Sequence, residues 1–87
     1  MAISLENSAT RAYRPTSALA QRVEFDDEMM HVSLSDGRVI GVPLVWFPRL
    51  LEASPSERQN VQIGAGGRGL HWPELDEDLS VAGLLAG

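Results

Sequence analysis

Two alternating runs, Met29-Met30-His31-Val32-Ser33-Leu34 and Arg38-Val39-Ile40-Gly41-Val42, flank Ser35-Asp36-Gly37. No other feature constrains the fold as tightly. Period-two alternation gives a strand one apolar and one polar face, and a short glycine-containing link between two such runs makes an antiparallel hairpin. The link also sets the register. A two-residue Asp-Gly turn would place Leu34 opposite Val39 and send Ile40 and Val42 to the face away from Val32. A three-residue loop with Gly37 in the left-handed conformation pairs Leu34 with Arg38 instead, and gathers Met30, Val32, Leu34, Ile40 and Val42 on one side. The second register buries more apolar surface and is the one expected.

The rest of the chain reads around that hairpin. Arg22-Val23-Glu24-Phe25 alternates as a preceding strand, with Asp26-Asp27-Glu28 as a polar turn. Pro43 ends the hairpin's second strand because it lacks an N–H for the ladder. Pro48 is tolerated only in a first helical turn, so a helix is expected from Phe47 or Pro48, with Phe47, Leu50 and Leu51 on one face. Ser54-Pro55-Ser56-Glu57 spells a capping box with proline at the first helical position, opening a short helix that stops near Asn60. Val61-Gln62-Ile63 and Leu70-His71-Trp72 read as strands joined by the glycine-rich turn Gly64–Gly69. Beyond Pro73 an irregular path through the acidic residues is expected, then one helical turn, Val81–Leu85, capped by Ser80. The sum is an α+β fold: a small antiparallel sheet of about five short strands, with one main helix and an additional helical turn packed on one face. Residues 1–18 read as a flexible leader and 19–87 as a single domain.

At 87 residues, with 44% of them hydrophobic, the chain can build one small core but only a marginal one. The absence of cysteine removes disulfides, thiolate nucleophiles and Cys-type zinc sites. No apolar run approaches the ~18 residues of a membrane span, and the N-terminus does not read as a secretory signal. The cytoplasm is the expected location. Net charge is −5 and unevenly spread: residues 1–22 hold three Arg against Glu6, which is +2, and residues 23–87 hold four Arg against eleven acids, which is −7. An acidic domain repels phosphate backbones, so direct nucleic-acid binding is not expected, whereas a basic protein partner is electrostatically easy.

Several separated motifs then carry a likeness. Ser35-Asp36-Gly37-Arg38, Val42-Pro43-Leu44, Trp46-Phe47-Pro48-Arg49-Leu50-Leu51, Ser54-Pro55-Ser56-Glu57-Arg58 and the closing run Gly69–Leu85 fall in an order that resembles an uncharacterised bacterial family, domain of unknown function 2442. The likeness runs from about Ala20 to Gly87. It implies a small α+β fold with no assigned activity and no agreed catalytic residues. It also implies a chain often encoded beside another small protein, in an arrangement similar to toxin–antitoxin pairs. Some relatives carry an added helix-turn-helix module, of which these residues show no sign.

Candidate sites are weighed residue by residue. Gly64-Ala65-Gly66-Gly67-Arg68-Gly69 matches G-x-G-x-x-G, but a dinucleotide site needs a helix after it, and here the chain alternates into Pro73. His71 beside Glu74, Asp76, Glu77 and Asp78 lacks the loop glycine and terminal bidentate Glu of a calcium loop. His31 and His71 are two ligands where a structural zinc site uses four. Neither a nucleophile elbow nor an oxyanion donor pair is visible. No metal, cofactor or catalytic residue is therefore assigned. Trp46, Phe47 and Trp72 read as core or near-core anchors, with Trp72 also a candidate contact residue, since tryptophan ringed by charge is a common hot-spot composition. The expected function is a non-enzymatic, antitoxin-like interaction module that binds and restrains a protein encoded by a neighbouring gene, through Trp72, His71, Glu74, Asp76, Glu77 and Asp78. Two alternatives stand beside it: an acidic decoy that inhibits a nucleic-acid-binding effector, and a small ligand binder or enzyme built on His71 and residues 74–78. Self-association is compatible with all three.

Overall fold

A computed structural model describes residues 18–86 of the chain. β1 (Ala20–Phe25), β2 (Met29–Leu34) and β3 (Val39–Pro43) form one antiparallel sheet in that order. A single-turn 3-10 segment, Leu44–Trp46, leads into two short helices, α1 (Pro48–Glu52) and α2 (Pro55–Gln59). A second antiparallel sheet follows, β4 (Gln62–Gly64), β5 (Gly69–Trp72) and β6 (Glu77–Ser80), and α3 (Val81–Ala86) closes the described chain. The α+β class holds, with the strands divided between two sheets.

The hairpin adopts the three-residue loop. Leu34 N–H donates to Arg38 O at 2.8 Å, Gly37 N–H donates to Leu34 O at 3.1 Å, and Gly37 has φ +95°. Only glycine takes that conformation without a Cβ clash. Asp36 reinforces the loop: its carboxylate accepts from Arg38 N–H at 3.0 Å and Arg38 Nε–H at 2.8 Å. Val32 faces Ile40 and Met30 faces Val42, so the expected apolar set shares one side. Met30, Val32, Leu34 and Val42 are buried, with Ile40 packed against them.

One core serves both sheets. Met30, Val32, Leu34 and Val42 join Leu44 and Leu50 from the helical stretch and Leu70, Trp72 and Val81 from the second half of the chain. The sheets touch through β1 and β4, and through Gly67. Gly67 is buried at φ +98°, and a Cβ placed there would lie 2.8 Å from Leu19 Cβ and 3.0 Å from Ala20 O. The loop before β5 thus presses on the start of β1, an approach open only to a residue without a side chain.

Ser54 accepts from Glu57 N–H at 3.2 Å while Glu57 Oε1 accepts from Ser54 N–H at 2.9 Å, so the capping box forms as its spacing predicts. Three expectations need correction. The acidic stretch is not irregular throughout, because Glu77–Ser80 pairs with β5 as β6. Leu51 does not join the face of Phe47 and Leu50: α1 ends at Glu52, and Leu51 is exposed. Ala18, expected in the leader, is buried, and Leu19 exchanges hydrogen bonds with Ser35. The remainder of the expected leader, residues 1–17, lies outside the described residues.

Candidate protein-interaction surface

The prolines at 43 and 48 bracket four residues, Leu44–Phe47, that have room for only one tight turn. A 3-10 turn has three residues per turn, so its side chains point in three directions and one alone can face a core. Leu44 takes that place and is fully buried. Val45 and Trp46 are pushed outward and stand 65% and 61% exposed. The sequence signal for this was the proline pair, and reading Trp46 as a core anchor overlooked it. Phe47 sits between, half-buried against the core.

Trp46 does not stand on a flat surface. With Phe47 it forms one wall of a cleft of about 400 Å³ whose other walls are Asp78, Leu79 and Ser80 of β6 and Gly83 and Leu84 of α3. Arg49 ties this region together from α1. Its guanidinium donates to Leu75 O at 3.1 Å and Asp76 O at 2.9 Å, fixing the turn that carries Glu74 and Asp76 next to the first turn of the helix. Asp76 has φ +52°, a left-handed conformation that Asp tolerates better than most residues. The exposed indole and its apolar cleft thereby lie beside Asp78, whose carboxylate is paired with His71.

Trp72 is the correction at the centre of the expected site. It is fully buried, and its indole Nε1–H donates to Arg58 O at 3.0 Å. A buried, hydrogen-bonded indole is a core pillar and presents nothing to a partner. The four acids do lie at the surface, Glu74 and Asp76 in the turn after Trp72 and Glu77 and Asp78 in β6. His71 faces Asp78 across the β5–β6 ladder, and its Nδ1–H donates to Asp78 Oδ1 at 2.6 Å. His31 lies in the other sheet and makes its own pair, Nε2–H donating to Asp26 Oδ2 at 2.9 Å.

The chemistry open to these groups is limited. The carboxylate holds the His71 imidazole with Nε2 turned away, and among the described residues no hydroxyl is hydrogen-bonded to that nitrogen. The ring lies in an open groove with Gly64, Ala65, Gly69 and Ser80. Among the described residues, no three His, Asp or Glu side chains converge where they could hold a metal ion. Gly64–Gly69 leads into strand β5 and not into a helix, so the dinucleotide geometry does not arise. No helix of the described residues is long and apolar enough to cross a membrane.

Fold and surface together define a small α+β domain whose conspicuous exposed feature is a tryptophan-walled cleft with Asp78 in its lining. The chain belongs to a family of proteins of unknown function, DUF2442, which matches residues 20–87. It is similar to the crystal structure of a protein of unknown function from Rhodospirillum rubrum, at 34% identity and TM-score 0.73, covering 82% of this chain and 88% of that one. The solution structure of an uncharacterised protein from Chromobacterium violaceum shares the fold, at 21% identity and TM-score 0.67, covering 90% of this chain and 70% of that one. No curated protein matches the chain.

Proposed function

We propose that this protein is a non-enzymatic interaction module that binds and restrains a cognate bacterial protein in the cytoplasm, as an antitoxin does. The observation that carries this reading is Trp46, 61% exposed beside the equally exposed Val45 and at the mouth of an apolar cleft. Leaving a large aromatic side chain in water forgoes its burial energy, and tryptophan is the residue type most enriched where a few side chains dominate binding. Asp78 in the cleft wall and the acids of the adjoining turn and strand favour a partner carrying Lys or Arg around an apolar anchor, and they disfavour nucleic acid. The paired-gene arrangement that the family likeness implies supplies a specific candidate, the product of the adjacent gene.

Co-expression with that product followed by calorimetry tests the reading. A stable complex is expected, and Trp46→Ala should weaken it by about 2 kcal/mol or more, roughly thirtyfold. A chain that stays free in the presence of its neighbour's product, or a complex indifferent to Trp46→Ala, overturns it.

A further inference from the structure

Resting on that reading, we propose that β6 is the docking edge, and that an extended segment of the partner adds to it as a further strand while placing one apolar side chain in the Trp46 cleft. β6 is hydrogen-bonded to β5 alone, so among the described residues its second edge is unpaired. The direction of its backbone groups follows from one bond. Val81 N–H donates to Arg68 O at 2.9 Å, towards the β5 side. Successive residues of a strand alternate the side to which they direct N–H and C=O. Leu79 therefore also faces β5, Asp78 directs both N–H and C=O to the open edge, and Ser80 adds its N–H there, its C=O being taken by the first turn of α3, which it caps. That edge is one wall of the cleft, with Trp46 and Phe47 opposite it and α3 across its end.

An unpaired edge next to an apolar slot is the arrangement that strand addition uses: main-chain bonds supply the grip and alternate side chains the selectivity. The side-chain chemistry selects the occupant. Glu77, Asp78 and the preceding Glu74 and Asp76 make the edge anionic, so the matching segment alternates apolar residues with Lys or Arg. A second copy of this chain is the poorer occupant, because it brings a second set of carboxylates to an edge that already carries them, and the registers that pair Asp78 with itself or Glu77 with itself put like charges directly opposite.

The test uses the full-length, nitrogen-15-labelled protein and a capped synthetic peptide, Lys-Leu-Lys-Val-Lys-Leu-Lys. Binding is expected to slow amide exchange of Asp78 and Ser80 at least tenfold while leaving that of Leu79, already bonded to β5, unchanged. N-methylation of the peptide on the edge facing β6 should abolish binding, and methylation on the other edge should be tolerated. Trp46→Ala should weaken the peptide at least tenfold, and the unshifted emission of the buried Trp72 in that variant would confirm that it is folded. Failure of the peptide to bind, equal binding of a helical Leu/Lys peptide, or protection of Asp78 and Ser80 that depends on protein concentration without peptide would each overturn strand addition. Capture of the neighbouring gene's product through Trp46 with Asp78 and Ser80 still exchanging freely would overturn strand addition and leave the interaction module standing. Absence of both complexes would remove the two together.

Discussion

Trp72 and Trp46 have the same side chain and opposite surroundings, and backbone geometry decides between them. Trp72 occupies an inward position of a strand whose register puts Leu70 and Trp72 on the core side, and Arg58 O lies within reach of its indole N–H. Trp46 occupies the third place of a turn too short to bury it. Asp26 shows the same dependence on immediate neighbours in its ionisation. It accepts from His31 Nε2–H and from the backbone N–H groups of Glu28 and Met29. These bonds hold its pKa at about 2 instead of 3.8, the His31 hydrogen bond contributing most. A carboxyl whose pKa is depressed by folding stabilises the native state fully above its unfolded value, and that contribution disappears as pH falls through the folded one. The window here runs from 3.8 down to about 2. A carboxyl titration by NMR should place the Asp26 midpoint near the lower value, and His31→Ala should move it up towards the ordinary one. A midpoint already at the ordinary value in the unsubstituted protein would show that the turn does not hold the charge as described.

At the scale of elements, the helical stretch holds because its two short helices complete each other. α1 and α2 are five residues each, too short to persist alone. Arg58 of α2 turns back on the end of α1, donating Nε–H to Leu50 O at 2.7 Å and Nη2–H to Leu51 O at 2.8 Å. Its own carbonyl receives the Trp72 indole, so one residue links both helices to the second sheet. Arg58→Ala should cost about 1–3 kcal/mol in urea unfolding, and Arg58→Lys should recover little, because a single ammonium cannot reproduce two donors in a fixed fork. Full recovery by lysine would mean that charge alone matters there. What the sequence disclosed at this scale follows from local rules. Gly37 announced the hairpin register, and Ser54-Pro55-Ser56-Glu57 announced the capping box, because each is settled within a few residues. β6 was not legible: Glu77-Asp78-Leu79-Ser80 has no β-branched or aromatic residue, and it is a strand because β5 lies beside it with Leu79 packed on the core. The candidate interaction surface was half legible. Its acids could be read from the chain, and so could the outward place of Trp46 from the prolines at 43 and 48, whereas the burial of Trp72 depends on the assembled core and on Arg58 O reaching its indole.

For the whole molecule, the arrangement of the core argues that the two sheets stand or fall together. Neither three-stranded sheet has a helix layer to itself, and the buried set draws on both: Val32 and Met30 from the first, Leu70 and Trp72 from the second, with Leu44 and Leu50 from the stretch that joins them. Gly67 adds a backbone contact between the halves that leaves no space for a Cβ. Removing buried volume from one sheet therefore removes contacts from the other. Leu70 is fully buried in β5, and Leu70→Ala should cost about 2–5 kcal/mol. That is a large share of the total for a domain of this size, since native stabilities run to about 0.05–0.15 kcal/mol per residue. Native-state hydrogen exchange distinguishes a shared core from two adjoining ones. If the core is shared, Leu70→Ala lowers the protection of the slowest amides in β2 by the same factor as those in β5, although β2 contains no substituted residue. Protection lost in β5 and β6 with β2 unchanged would instead show that the second sheet opens independently. In that case the β6 edge and the Trp46 cleft would belong to a local unfolding unit rather than to a rigid docking face.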